Sequence, residues 1–279
     1  MNAGKVMYDN IPIPERLEEV INNGIRRASR QKILHRARNT MAGAAAAVCI
    51  LFAGANIMPI YSYAADIPIL GSIVRVFHIG SGGEVTDGAH MGADSRGESV
   101  ELTFGDMASA PYYTVKHMSA PNRIVLTLNG VRSADFESIR EALMGAEAVQ
   151  DVYRNMVLDD SRIEMTIVLN SGWGFAVSEY ENPGTIMLDF QPDVESAEGT
   201  VYYLRTEAMG YTDRLGNLCE EYYSEGASQL KTLNGNYIVT IGQYATQDEA
   251  EEALKQLNEE HGGGVFYVAS GAVDEIPKD

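Results

Sequence analysis

Five histidines are the side chains best suited to proton transfer or metal ligation: His35, His78, His90, His117 and His261. They are scattered, with no metal-ligand spacing among them. No Gly-x-Ser-x-Gly elbow occurs, and neither Cys49 nor Cys219 pairs with a histidine in a plausible catalytic context. Gly80-Ser81-Gly82-Gly83 is Gly-rich but lacks the following Lys-Ser/Thr of a phosphate loop. The 39 carboxylates are spread along the chain, so no acid–base pair is singled out. The pattern predicts a non-catalytic protein with no cofactor and no metal site. Cys49 sits in an apolar run far from Cys219, so both read as free, buried thiols and an intramolecular disulfide is implausible.

Chemistry of recognition is therefore the question, and charge distribution frames it. Up to Thr40 the chain holds 8 Lys+Arg against 4 Asp+Glu; beyond it, 13 against 35. A formal net charge of −18 excludes nonspecific nucleic-acid binding, which needs clustered cations. The sign reverses across residues 41–65, which contain no charged side chain. That run exceeds the ~20 residues needed to cross a bilayer. Arg26, Arg27, Arg30, Lys32, Arg36 and Arg38 precede it, and Tyr61 and Tyr63 stand at its far interface. The positive-inside rule places residues 1–40 in the cytoplasm and the acidic bulk outside. The expectation is a single-pass membrane protein. Ser62-Tyr63-Ala64 is a small-x-small site, so cleavage beside Ala64 and Ala65 is a further expectation.

Pro14 opens a cytoplasmic helix with Glu15, Glu18 and Glu19 at its positive end. Leu17, Val20, Ile21 and Ile25 form one apolar stripe, fit either for a lipid surface or for a docking partner. The order Ile11-Pro12-Ile13-Pro14-Glu15-Arg16-Leu17, a basic stretch, an Ala-rich span and then Ile67-Pro68-Ile69-Leu70-Gly71-Ser72-Ile73-Val74 resembles the transmembrane anti-sigma factors related to the lysozyme-responsive one of Gram-positive bacteria. That resemblance implies an extracytoplasmic-function sigma factor held on Leu17, Val20, Ile21 and Ile25, and released by cleavage next to the membrane.

Residues 66–98 read as a juxtamembrane linker, with Gly80–Gly97 too rich in Gly and small polar residues to order itself. Over 99–192, strand signals dominate at Val100–Phe104, Tyr112–His117, Arg123–Leu128, Arg162–Leu169, Phe175–Val177 and Thr185–Phe190, with one helix near Ser133–Met144. Ile124, Leu126 and Leu128 alternate with Val125 and Thr127, which predicts a mostly antiparallel β-sandwich. Ser119-Ala120-Pro121-Asn122-Arg123-Ile124-Val125-Leu126, with the Ile163–Leu169 and Ile186–Phe190 strands, resembles the AMIN domain, a non-catalytic wall-targeting module. Trp173, the only Trp, could stack on a sugar ring; a plug at the end of the sandwich is slightly favoured.

After a linker at 193–199, residues 200–272 alternate as strand Thr200–Thr206, helix Asp213–Glu225, strand Gln229–Leu233, strand Asn236–Ile241, helix Gln247–Glu260 and strand Val265–Val268, before a tail at 273–279. Asn234-Gly235 is a strong hairpin signal. The order βαββαβ predicts a ferredoxin-like sheet with both helices on one face. Tyr237-Ile238-Val239-Thr240-Ile241-Gly242-Gln243-Tyr244, with Glu249-Ala250 opening the next helix, resembles the SPOR domain, which binds peptidoglycan glycan strands stripped of stem peptides. Glu207 and Met209 depart from that pattern, standing where a Gly and an aromatic are expected. With Val239 and Ile241 turned to the helices, Tyr203, Arg205, Ile238, Thr240 and Gln243 share the opposite face and are the expected glycan surface. The whole chain is then an α+β multidomain protein: transmembrane helix, AMIN-like sandwich and SPOR-like βαββαβ domain. The expected function is peptidoglycan binding with wall sensing as an anti-sigma factor; the alternative is a scaffold for other envelope or division proteins that binds no glycan.

Overall fold

The computed structural model describes residues 72–77, 79–105, 107–193 and 199–279. The cytoplasmic stripe Leu17, Val20, Ile21 and Ile25, the apolar span 41–65, Cys49 and the cleavage site at Ala64 and Ala65 lie outside the described residues. Among the described residues no helix is long and apolar enough to cross a membrane.

Two sheets form the sandwich. One contains β1 (Ser72–Phe77), β3 (Ala89–Arg96), β4 (Ser99–Thr103), β7 (Val131–Ala134), β10 (Trp173–Glu181) and β11 (Thr185–Pro192), in the order β1-β10-β11-β4-β3-β7. The other contains β2 (Gly80–Gly82), β5 (Tyr113–Ser119), β6 (Asn122–Asn129), β8 (Val149–Arg154) and β9 (Arg162–Leu169), in the order β2-β5-β6-β9-β8. Alternation turns Ile124, Leu126, Leu128, Met165 and Ile167 inward against Val100, Leu102, Val177, Ile186 and Leu188, all buried in one core. Trp173 packs at the margin of that core, as a plug would, and its carbonyl accepts from Asn122 Nδ2 at 2.7 Å.

Three expectations are corrected. The Gly-rich stretch assigned to a tether is folded: β2 and β3 occupy it, and β1 precedes them. Ala89 and Met91 of β3 bury into the sandwich core, and the Glu179 carboxylate fixes the Gly-rich start. Glu179 is 3% exposed, accepts from Gly83 N–H at 3.2 Å and takes the Tyr113 hydroxyl at 2.9 Å. The sandwich is mostly antiparallel, as expected, with β3 and β7 pairing in parallel. That pairing draws Val131–Ala134 into a strand, so the helix (α1) runs Phe136–Met144, capped by Asp135 accepting from Ser138 N–H at 3.3 Å. Val149–Arg154, unassigned on sequence, is a strand paired with β9.

The C-terminal half has the βαββαβ order: β12 (Thr200–Arg205), α2 (Asp213–Glu221), β13 (Ser228–Lys231), β14 (Tyr237–Tyr244), α3 (Gln247–His261) and β15 (Tyr267–Ala272). Its sheet is ordered β13-β14-β12-β15. Thr246 and Glu249 make a reciprocal capping box at the start of α3. The second core is separate: Leu204, Val239 and Ile241 meet Leu215, Leu218, Tyr222, Ala250, Leu257 and Phe266.

Candidate functional site

The sheet of the C-terminal half has two faces, and the pairing register assigns side chains to each. Leu204 lies opposite Ile241, and both point to the helices. Arg205 lies opposite Thr240, Ser228 opposite Thr240 on the other side, and Leu230 opposite Ile238. Arg205, Thr240, Ser228, Ile238 and Leu230 therefore share the face away from the helices, with Tyr203 two residues from Arg205 on the same strand. Gly242 breaks the alternation at φ 69°, and a Cβ there would stand 2.4 Å from the Tyr244 hydroxyl oxygen. Gln243, just after this kink, reaches past the sheet.

The structure thus brings Tyr203, Arg205, Ile238, Thr240 and Gln243 to one side of the sheet, but that side is not open to solvent. Ile238 is 0%, Thr240 3% and Arg205 6% exposed. The sandwich's second sheet lies against this side with its outer face, where Arg123, Val125, Tyr153, Thr166 and Val168 are buried too, while the C-terminal tail holds Arg205 through the Lys278 carbonyl and Tyr203 and Gln243 stay half-buried. The buried apolar residues Val125, Tyr153, Val168, Leu230 and Ile238 belong to neither core.

Polar contacts run across and around the seam. Gln243 Nε2 donates to the Ala120 carbonyl at 2.8 Å, and Ser119 Oγ donates to Gln243 Oε1 at 3.0 Å. Gln229 is bonded twice to the Met156 backbone, at 2.7 Å each way. Lys231 Nζ bridges to Asp151 at 2.9 Å, and its backbone N–H donates to the Tyr153 hydroxyl at 3.3 Å. Lys116 Nζ reaches the Gly226 carbonyl at 3.2 Å. The Tyr153 and Tyr237 rings meet edge-on, with centroids 5.9 Å apart.

Inside the seam, Arg123 has no carboxylate among the described residues. Its guanidinium donates to the Ala120 and Pro121 carbonyls at 2.9 and 3.1 Å. Burial pushes its pKa down to about 10, eased by the nearby Tyr153 and Tyr203 hydroxyls. The same burial raises Tyr153 to about 12. Arg205 is held otherwise: it donates to the Thr206 and Lys278 carbonyls and lies over the Tyr267 ring at 5.7 Å. Arg123 Nε, Arg205 Nη2 and Ser228 Oγ are buried without a hydrogen-bond partner among the described residues.

At one end the seam opens into a groove of about 610 Å³ lined by Tyr153, Arg154, Tyr211, Lys231 and Tyr237, among others. Tyr211 is 44% exposed there and tilts against Tyr237 at 5.3 Å between centroids. Elsewhere, the ligand atoms of Glu225, Glu260 and His261 come within 4.8 Å of one another, a grouping that linear spacing conceals. His261 Nε2 lies 3.1 Å from Glu225 Oε1, so these two already satisfy each other. Cys219, on α2, is a free thiol whose pKa burial lifts to about 12.

The residues that build the seam from the sandwich side were not singled out by sequence. A signal existed: Ile124-Val125-Leu126 and Ile167-Val168-Leu169 are continuous apolar runs, the pattern of strands buried on both faces. Gln229 and Asp151 carried no such mark.

No curated protein and no solved structure matches the chain. Residues 204–269 match the model of the SPOR domain, from the end of β12 into β15. SPOR domains are peptidoglycan-binding, non-catalytic modules. The chain carries a SPOR domain at its C-terminal side.

Proposed function

We propose that this protein is a non-catalytic, single-pass envelope protein that binds peptidoglycan glycan strands through its SPOR domain. The observation that carries the reading is the family match over 204–269, laid on a complete βαββαβ fold with its own core. The glycan surface is the sheet face bearing Tyr203, Arg205, Ile238, Thr240 and Gln243. Its chemistry suits a sugar chain: a ring to stack on, a guanidinium, and hydroxyl and amide groups for the sugar's hydroxyls. The sandwich, AMIN-like in its 119–126 segment, is a second wall-directed module. The charge reversal across 41–65 supports a membrane anchor with the acidic part outside. In the fullest form of the reading, Leu17, Val20, Ile21 and Ile25 restrain an extracytoplasmic-function sigma factor, and cutting beside Ala64 and Ala65 releases it.

The test is cosedimentation of the protein with purified sacculi before and after an amidase strips the stem peptides. Binding that rises on stripped glycan supports the reading. Failure to bind either form defeats it. A second reading, a scaffold for other envelope proteins, gains from the covered sheet face and the acidic surface; capture of a partner protein with no affinity for sacculi would favour it.

A further inference from the structure

The seam between the sandwich and the SPOR sheet has a property that neither core shares. The buried apolar residues Val125, Tyr153, Val168, Leu230 and Ile238 of the seam belong to neither core, while Met156 and Tyr237 pack against the edge of the SPOR core. Parting the two β layers would therefore leave the sandwich core whole and withdraw Met156 from the edge of the SPOR core. The seam is also partly polar: Arg123, Thr166, Ser228, Thr240 and Arg205 are buried in or beside it. Among the described residues Arg123 has only carbonyl partners, and Arg123 Nε, Arg205 Nη2 and Ser228 Oγ lack hydrogen bonds. A buried donor without an acceptor is penalised when the seam is shut and relieved by water or a polyol when it opens. The closed arrangement is held mostly by links outside this polar centre: the Gln229–Met156 pair, the Lys231–Asp151 bridge and the two bonds of Gln243.

We propose that the sandwich is an autoinhibitory cover: it shuts the saccharide-facing side of the SPOR sheet, and glycan binds only when the two layers part. This rests on the reading that Tyr203, Arg205, Ile238, Thr240 and Gln243 form the glycan surface. Ile238 at 0% and Thr240 at 3% exposure cannot touch a sugar chain in the closed form. A ligand that selects the open form is bound with an affinity lowered by the fraction of molecules that are open. Glycan binding and seam opening are then one coupled equilibrium, and weakening a link in the seam raises affinity without touching the glycan surface. Gln229 and Lys231 face the helix side of the sheet and are suitable handles, since each links to the sandwich from outside that surface.

The experiment compares the full chain with its Gln229→Ala and Lys231→Glu variants, and with a closed form. The closed form is made by carbodiimide coupling of Lys231 Nζ to Asp151, already 2.9 Å apart, with loss of water, and is verified by peptide mass. Stripped sacculi are the probe, and hydroxyl-radical labelling of Tyr153 and Tyr203 reports the open fraction. The expected result is binding at least about tenfold tighter in both variants and lost in the coupled protein. Coupled protein that binds as tightly as the free chain overturns the cover. Variants shown open by labelling that still fail to bind overturn the glycan reading itself, which separates the two failures.

Discussion

The side-chain amide of Gln229 bonds both backbone groups of Met156: its Nε2 donates to the Met156 carbonyl and its Oε1 accepts from the Met156 N–H, each at 2.7 Å. A glutamine 1% exposed thus stands in for a strand partner between two halves of the protein. Gln229→Ala leaves both Met156 groups unpaired, at about 1–3 kcal/mol each. Gln229→Glu keeps the acceptor but sets a carboxylate against the Met156 carbonyl, and is expected to be no milder. Urea unfolding followed by separate probes in each half should show the loss in the docking of the halves, with each core's own transition preserved.

The Gly-rich segment at 80–83 is held by one carboxylate and one tight approach. Gly83 has φ 73°, and a Cβ on it would lie 2.1 Å from the Pro111 carbonyl oxygen. Gly83→Ala is expected to cost more than about 1 kcal/mol, since neither the backbone angle nor the neighbour can yield cheaply. Glu179→Ala removes the acceptor for Gly83 N–H and for the buried Tyr113 hydroxyl, with a comparable or larger loss. Thermal unfolding of the two variants checks both expectations.

Arg123 is a buried cation whose pKa falls to about 10 because burial opposes its charge. Its charged form is disfavoured on folding, so replacing it by an apolar side chain of similar length removes a penalty as well as two hydrogen bonds. Arg123→Met is expected to change stability by less than about 1 kcal/mol or to raise it. Arg123→Ala, which leaves a void, is expected to destabilise by about 2 kcal/mol or more. A Met variant as damaging as the Ala variant would show that the guanidinium's bonds to Ala120 and Pro121 outweigh its desolvation.

Cys219 offers a pH test. Its thiol is raised from 9.0 to about 12, first by burial and then by the nearby Glu164 carboxylate. At pH 8 the native protein should present roughly a thousandth of the thiolate of an ordinary cysteine, so alkylation by iodoacetamide should be slower by about that factor. Because the folded form holds this proton more tightly, the contribution to stability is complete below pH 9 and is lost as the pH rises toward 12. Cys219→Ser should shrink that alkaline loss.

Much of the C-terminal half was legible because its local signals agree. The Asn234-Gly235 turn, the capping residues of α3 and the two alternating strands each point to βαββαβ, and the structure places the elements within a few residues of the expected bounds. The fourth strand begins two residues late, at Tyr267, because Gly262, Gly263 and Gly264 carry the chain past the end of α3. The sandwich strands were legible wherever apolar and polar residues alternate. The segment 80–96 was not, because its order comes from Glu179, a residue about a hundred positions away, from pairing with β4, β5 and β7, and from two core anchors, Ala89 and Met91, set among Gly and polar residues. Nor could the sequence show that the candidate glycan face is covered. Alternation fixes which residues share a face; it does not say what lies opposite. Val125 and Val168, apolar on the outward side of their strands, were the trace of that second burial.

The most direct measurement is hydroxyl-radical labelling of the full chain with and without stripped glycan strands, read residue by residue. Glycan is expected to raise labelling of Tyr153 and of Met118, which pairs with Arg123 on the same outer face of the sandwich and is 8% exposed, while Tyr203 and Ile238 on the SPOR sheet stay protected because the sugar chain replaces the sandwich. Labelling unchanged at all four residues when the glycan is saturating, or a rise at Tyr203 and Ile238 together with Tyr153 and Met118, would contradict this expectation.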